Sequence, residues 1–181
     1  MGDRPVQVLG VTALAVMDRL RARVAAGAGL GETEAAALVH VQAWPGGSVG
    51  DLAGVVGLSQ PATVRLVDRL VEKGLVRREV GRNRRTVSLV LTDAGSRAAD
   101  AVLLARTEAL TPLLAELSPR ERATLERLLG QVAAGLAEDR PGALRVCRLC
   151  DRKACTSGPG CPLQHTTRPD PTRPSGAATR R

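Results

Sequence analysis

Residues 48–95 constrain the fold of this chain more than any other segment, because they carry start and stop signals for two short helices. Ser48 can cap the first helix, and Asp51, three residues later, completes a capping box. Gly57 can end that helix in the left-handed conformation. Ser59 can then cap a second helix, which has Pro61 in its first turn. The segment therefore predicts two helices joined by a tight turn.

The second predicted helix, which ends near Gly74, has an apolar face and a basic face. At about 100° per residue its apolar side chains share one side. They are Val64, Val67, Leu70 and Val71. Arg65 and Arg69 fall on the opposite side, where a guanidinium group can bind phosphate or donate two hydrogen bonds to guanine. An ordinary solvated face, with Asp68 and Glu72 paired to basic neighbours, is the alternative.

Two strand candidates follow, Leu75 to Val80 and Thr86 to Leu91, joined by a loop rich in arginine. Arginines crowded at a loop tip repel one another unless an anion is near. Two helices followed by such a hairpin are the layout of a winged helix-turn-helix, in which one helix enters the major groove of DNA and the loop grips the flanking backbone. The predicted DNA contacts are Ser59, Gln60, Thr63, Arg65, Arg69, Arg82, Arg84 and Arg85.

The charge distribution supports double-stranded DNA as the partner. The chain has a net charge of +8, and residues 65–85 hold eight basic residues against three acidic ones. The rest of residues 1–144 sums to −3, so the positive charge of this part is concentrated at the predicted second helix and hairpin. The chain has one Trp and neither Phe nor Tyr, which disfavours RNA or single-strand binding by base stacking.

Several short motifs in this region resemble the MarR family of bacterial transcriptional regulators, over roughly residues 6–140. The matching runs are Leu58 to Val64, Val67 to Leu70, Gly74 to Val76, Asn83 to Arg85 and Leu91 to Gly95. The resemblance implies a homodimeric repressor of a nearby gene, often relieved by a small-molecule effector or an oxidant. Asn83 stands where the family wing usually begins with an aspartate that braces an arginine.

The predicted flanking helices extend the winged-helix interpretation beyond the DNA-binding core. We expect a mainly α fold, an α+β winged helix, with residues 1–142 forming the MarR-like domain. Residues 48–91 form its DNA-binding core, and residues 6–26 and 93–139 supply dimerisation helices. Their apolar surface exceeds what one small core needs, which predicts a partner chain; a larger monomeric core is the alternative. A symmetric dimer would favour a near-palindromic operator.

All four cysteines lie within residues 143–165, which we interpret as a cysteine-rich metal-binding segment. The candidate ligands are Cys147, Cys150, Cys155 and Cys161, spaced C-x2-C-x4-C-x5-C. In a reducing compartment four thiols this close favour a metal over disulfides, and zinc suits four thiolates. The alternatives are an iron–sulfur cluster, a thiol redox switch with thiolates favoured by basic neighbours, and no role.

Other features narrow the function class. No long apolar run or signal-peptide pattern exists, so we expect a cytoplasmic protein with no membrane partner. Residues 166–181 have the composition of a disordered tail. A thiol- or zinc-based enzyme or redox protein is the second candidate function, but a four-cysteine site leaves no open position for substrate. A winged helix used only for protein interaction would leave the concentrated positive charge unexplained. His40 lies among apolar residues and is interpreted as a packing residue.

Overall fold

The computed structural model describes residues 3–80, 87–157 and 160–163. The helices within these ranges are α1 (Arg4–Ala28), α2 (Glu32–Ala43), α3 (Val49–Val56), α4 (Gln60–Glu72), α5 (Asp93–Leu110), α6 (Pro119–Gly135), α7 (Arg140–Val146) and α8 (Arg152–Thr156). A 3₁₀ turn, Thr111–Leu114, follows α5. The strands are β1 (Val76–Val80) and β2 (Val87–Leu91), which pair antiparallel. This order of elements confirms the predicted winged helix.

The helix α2 is the centre of the core, because every residue from Ala35 to Val41 is buried. A helix that is apolar on all sides is stable only when other elements surround it. Here α1, α3, α4, α5 and β2 all contact it. Three consecutive alanines, from Ala35 to Ala37, let these neighbours approach closely in a core that has no Phe or Tyr.

The two strands form a hairpin that is anchored to the helices at one end. The register pairs Val76 with Leu91 and Val80 with Val87. Leu89 is buried, and its backbone exchanges hydrogen bonds of 3.0 Å with Gly46 and Gly47 in the loop between α2 and α3. The far end of the hairpin leads into residues 81–86. The predicted loop contacts Arg82, Arg84 and Arg85, together with Asn83, therefore lie outside the described residues, as does the predicted disordered tail.

Several helix boundaries, including the predicted start of α3, are fixed by specific hydrogen bonds. Ser48 and Asp51 form the capping box of α3, and Ser118 and Glu121 form that of α6. The side chain of Thr92 caps α5. These local signals fix where the helices begin, independently of tertiary packing.

The long helices at both ends of the winged helix expose apolar side chains. The N-terminal half of α1 exposes Val6, Val8, Leu9, Val11 and Leu14. No residue of α6 is buried; Leu128, Leu129 and Val132 are exposed along it, and so is Leu136 directly after it. Contiguous apolar surface of this kind usually marks an interaction site. Nowhere in residues 3–80 and 87–157 does a helix combine the length and the hydrophobicity needed to cross a bilayer.

The start of α5 packs directly against the chain that links α4 to β1. The Thr92 hydroxyl donates a hydrogen bond of 2.6 Å to the carbonyl of Gly74, and the Thr92 amide donates one of 3.1 Å to the carbonyl of Leu75. A Cβ added at Gly95 would lie 1.8 Å from that Leu75 carbonyl oxygen. Glycine is therefore required at position 95 by close approach of backbone.

We predict that Gly95→Ala lowers the free energy of unfolding by about 3 kcal/mol or more, because the backbone of Leu75 must move to admit the methyl group. The matched control is Gly135→Ala in α6, where a Cβ meets nothing within 4 Å. That control should change stability by less than about 1 kcal/mol, in the stabilising direction. Urea titrations at equal protein concentration measure both, and equal stability of the two variants would contradict the packing described.

Candidate nucleic-acid interface and cysteine site

The helix α4 is held on the molecule by a buried stripe that differs from the predicted one. Its buried residues are Thr63, Leu66, Val67 and Leu70. Val64, predicted to be buried, is 38% exposed, and Val71 is half-buried. The prediction for Val64 is wrong because Thr63 and Leu66 lie at the centre of the buried face. The helix is therefore rotated about its axis by about half of the angle between successive residues.

This rotation decides which predicted DNA contacts face outward. Ser59, Gln60, Arg65 and Arg69 are all exposed. Thr63 is 0% exposed, and its hydroxyl donates a hydrogen bond of 3.0 Å to the carbonyl of Ser59. The placement of Thr63 in the groove is therefore wrong: its side chain faces the core and secures the first turn of α4 instead.

Three of the basic residues near α4 are neutralised by ion pairs within the molecule. Lys73 Nζ lies 2.7 Å from Glu34 Oε1, and Arg78 Nη2 lies 2.6 Å from Asp68 Oδ1. Arg77 pairs with Glu79 along β1. The Asp68 contact joins α4 to the hairpin, so this carboxylate pairs across elements rather than with a helix neighbour.

Arg65 and Arg69 differ from these residues, since neither forms an ion pair with any residue in the described ranges. Both are exposed, one helical turn apart, on the side of α4 away from its buried stripe. The described part of the interface therefore presents two guanidinium groups to solvent. Such groups can donate to phosphate or to base edges without breaking an internal contact.

The cysteine-bearing extension, meaning here the described residues 140–157 and 160–163, packs on the winged helix. The helix α7 contacts α3, and Leu144 is buried in the main core. Arg148 Nη2 lies 3.1 Å from Glu32 Oε1, and the guanidinium carbon of Arg152 lies 4.8 Å from the centroid of the Trp44 ring. The helix α7 therefore crosses the predicted domain boundary between residues 142 and 143.

The four cysteines are free thiols, and all of them are half-buried. The Cys150 amide donates a hydrogen bond of 2.9 Å to the carbonyl of Cys147, which closes a turn between these two residues. Gly160 has a φ of 105°, which only glycine adopts readily, and it precedes Cys161. Cys147 and Cys161 both pack against a small apolar cluster of Ala137, Ala143 and Leu163.

The thiols also influence one another. A hydrogen bond from Cys150 lowers the pKa of the Cys147 thiol, and the same interaction raises the pKa of Cys150. Burial raises the pKa values of Cys155 and Cys161, which also interact with each other. The pKa values of three of the four thiols are therefore raised, which is opposite to the expectation of thiolates favoured by basic neighbours.

No ready-made metal site is present in the part of the chain that the structure describes: no three of its His, Cys, Asp or Glu side chains converge as ligands. A bound zinc ion holds its sulfur ligands at about 2.3 Å, so the thiols would have to close in on the ion. Their clustering is nevertheless the arrangement from which such a site could assemble.

An open cavity of about 490 Å³ lies between the extension and the winged helix. Val39 of α2 and Leu103 of α5 supply part of its apolar wall, and Cys150 and Lys153 line it on the side of the extension. Its volume falls within the range of small-molecule sites.

Sequence reasoning missed the arginines that attach the extension, namely Arg145, Arg148 and Arg152. Glu32 and Arg148 are separated by 116 residues in sequence. No local pattern signals a contact over that separation, and only the folded arrangement brings these side chains together.

Comparisons with known proteins agree with this geometry. Residues 28–86 match the model of the MarR family. A MarR-family transcriptional regulator from Silicibacter pomeroyi is 26% identical, with a TM-score of 0.55, covering 68% of this chain and 86% of that one. The apo form of MarR from E. coli is 22% identical, with a TM-score of 0.60 and coverages of 73% and 98%. RV1404 from Mycobacterium tuberculosis is 22% identical, with a TM-score of 0.66 and coverages of 76% and 97%.

No curated protein matches the chain. The fold and the exposed basic face of α4 define a winged-helix protein of the kind that binds DNA. Residues 28–86, which hold α2, α3, α4 and β1, are similar to the MarR family of transcriptional regulators. The chain also carries the cysteine-bearing extension beyond the region that this family match covers.

His40, in α2, is a buried titratable residue whose pKa reports on its packing. Its ring is buried and stacks on Trp44 with a centroid distance of 4.9 Å. Burial lowers the pKa of His40 from 6.5 to about 4; Asp51 opposes this shift and Arg140 adds to it. The packing role predicted for His40 agrees with this position.

We predict that the protein loses about 2 to 3 kcal/mol of stability through His40 as the pH falls from about 6.5 to about 4. The neutral ring is the folded form, so the unfolded chain takes up a proton first in this window and is favoured by it. Urea titrations across this range should show a smaller loss for His40→Gln than for the natural protein. The control His165→Gln should retain the full loss, and equal losses in both variants would contradict the assignment.

Proposed function

We propose that this protein is a homodimeric repressor of transcription that recognises a near-palindromic operator in double-stranded DNA and has no enzyme activity. The observation that carries the proposal is the pair Arg65 and Arg69, which stand exposed and unpaired, within the described ranges, on a helix whose opposite face is buried. The other described cations near α4 are held in ion pairs, so these two are the ones available to DNA.

The position of each side chain suggests its role. Ser59 and Gln60 stand at the start of α4, where a recognition helix first meets base edges. Arg65 is one turn further and can donate to guanine, whereas Arg69, nearer the end of the helix, is better placed for phosphate. The loop arginines Arg82, Arg84 and Arg85 would grip the flanking backbone, a role that rests on the sequence alone.

The exposed apolar faces support a dimer built from the terminal helices. Leu14 on α1 is 70% exposed, Leu104 on α5 is 60% exposed and Leu136, next to α6, is 66% exposed. A second copy of the chain is the partner that covers the same surfaces by symmetry and sets two α4 helices side by side. Protein–DNA recognition would then depend on the spacing between the two recognition helices.

Operator affinity would be tuned by a small-molecule effector, by a metal or by thiol oxidation. The cavity between α2, α5 and the extension is the candidate place for an effector. Zinc is the candidate cofactor, with Cys147, Cys150, Cys155 and Cys161 as ligands. A site closed by four cysteines leaves no position open for a substrate, which favours regulation over a thiol- or zinc-based enzyme. A repressor acts where its DNA is, so we place the protein in the cytoplasm.

We predict that Arg65→Ala weakens binding to the DNA upstream of its own gene about tenfold or more, because a base contact worth ~1–3 kcal/mol is lost. Arg69→Ala should weaken binding to all duplexes and reduce the steepness of the salt dependence by about one charge. Salt titrations of binding, followed by fluorescence anisotropy with specific and random duplexes, separate the two effects.

The control for both variants is Arg23→Ala, which removes an exposed guanidinium from α1, away from α4. It should leave affinity and salt dependence close to those of the natural protein. Unchanged binding by both α4 variants would exclude α4 as the recognition helix, and failure of the natural protein to bind any duplex at low salt would overturn the proposed function.

We also predict that Leu14→Glu shifts the protein from dimer to monomer, since the variant places a charge on the apolar face of α1. Ser157→Glu is the control, because it adds the same charge at an exposed position of the extension. Sedimentation velocity at micromolar protein should show the shift for the first variant alone. A natural protein that sediments as a monomer would contradict the dimer directly.

A further inference from the structure

The extension lies against the turn of the helix-turn-helix. The guanidinium group of Arg145, on α7, covers the α-carbon of Gly57, since a Cβ built there would lie 2.6 Å from Arg145 Nη1. Gly57 has a φ of 67° and ends α3. This arginine therefore touches the residue that sets the angle between α3 and α4.

The extension is also attached at other points. Besides Leu144 in the main core, these points include Leu149, which packs against that core, the half-buried ion pair of Arg148 with Glu32 and the stacking of Arg152 on Trp44. Partly exposed ion pairs contribute little to stability, because water competes for both charges. The packing of α7 on α3 is extensive, but the residues after α7 depend largely on these partly exposed contacts unless they are fixed in another way.

The cysteines lie where such fixing would occur. Cys147 directly follows α7, and Cys161, from the far end of the extension, shares its small apolar cluster. That cluster contains only Ala137, Ala143 and Leu163 as fully buried members, which is too little apolar surface to hold a segment in place alone. Small units of this kind are commonly stabilised by a structural metal.

We propose that Cys147, Cys150, Cys155 and Cys161 bind one Zn²⁺, and that the loaded site is a clasp that holds α7 on α3 and thereby couples metal occupancy to the helix-turn-helix. This inference rests on the proposed function and deepens it by naming the regulating ligand. Binding forms four zinc–sulfur bonds and releases four protons to solvent, with no change of oxidation state. The positive charge of Arg106, on α5, favours the thiolate forms of Cys150 and Cys155.

The clasp has a direct consequence for DNA binding. With zinc bound, Arg145 is held over Gly57, and α3 and α4 are ordered before they meet DNA. Without zinc, the extension is released, and DNA binding must also order the turn. The zinc-loaded protein is therefore the high-affinity form, and zinc removal should weaken operator binding about tenfold.

Metal analysis of the full chain, purified under reducing conditions, tests the site itself. We expect one zinc per chain, and replacement by Co²⁺ should give the intense visible bands and sulfur charge-transfer absorption of a tetrahedral thiolate site. Cys161→Ser should abolish this spectrum, whereas the control Ser157→Ala in the same segment should retain it. A chain that binds neither ion with sulfur ligation overturns the site, and so does a coloured iron–sulfur chromophore.

Hydrogen exchange of backbone amides tests the coupling without DNA. Zinc should increase protection at residues 48–58 of the natural protein, a segment that contains none of the four cysteines. Arg145→Ala should keep its zinc but lose most of that protection, and its DNA affinity should change less than about twofold on zinc removal. Equal protection with and without zinc, or an unchanged zinc effect in Arg145→Ala, would overturn the clasp.

These readouts separate the inference from the proposed function. If zinc binds and protects α3 while no duplex is bound, the inference about the site holds and the DNA-binding proposal fails. If DNA binds with Arg65-dependent affinity that ignores zinc, the proposed function stands and the regulatory clasp is wrong.

Discussion

The burial of one face of α4 is the constraint on which the interpretation of this structure depends. Leu66 and Leu70 are almost completely removed from solvent, and their positions on the helix determine which other side chains can face outward. Desolvating two leucines stabilises the fold by several kcal/mol, far more than any exposed ion pair contributes. The orientation of Arg65 and Arg69 therefore follows from packing, and electrostatics acts on an arrangement that the core has already set.

The same core explains why helices near both ends of the winged helix expose apolar faces. The winged helix, α1 and α5 together surround the apolar helix α2, so the core is complete without α6. No residue of α6 is buried within the described chain. An amphipathic helix with an unused apolar face is costly in water unless another surface covers it. The extension after α6 likewise adds few core residues, and its thiols are the part of it whose chemistry calls for a further ligand.

The cations near α4 fall into two groups, those held in ion pairs and those exposed to solvent, and composition alone does not distinguish them. Lys73 and Arg78 are held by carboxylates and stabilise the junction of α4 with α2 and β1. Near α4, the described cations without an ion pair are thereby reduced to two on one face of that helix. A binding surface with few unpaired guanidinium groups discriminates by geometry, since each group must reach a specific acceptor.

The sequence by itself determined the order of elements, the helix starts and the resemblance to the MarR family, because caps, left-handed glycines and short motifs act through neighbouring residues. Ser48, Gly57 and Ser118 show this, since each makes its contact within a few positions of the chain. Only the tertiary structure decided that Thr63 faces the core, that Val64 faces solvent and that Arg145 reaches Gly57. Those outcomes depend on which surface each helix meets, and contacts between distant segments leave no local pattern in the sequence.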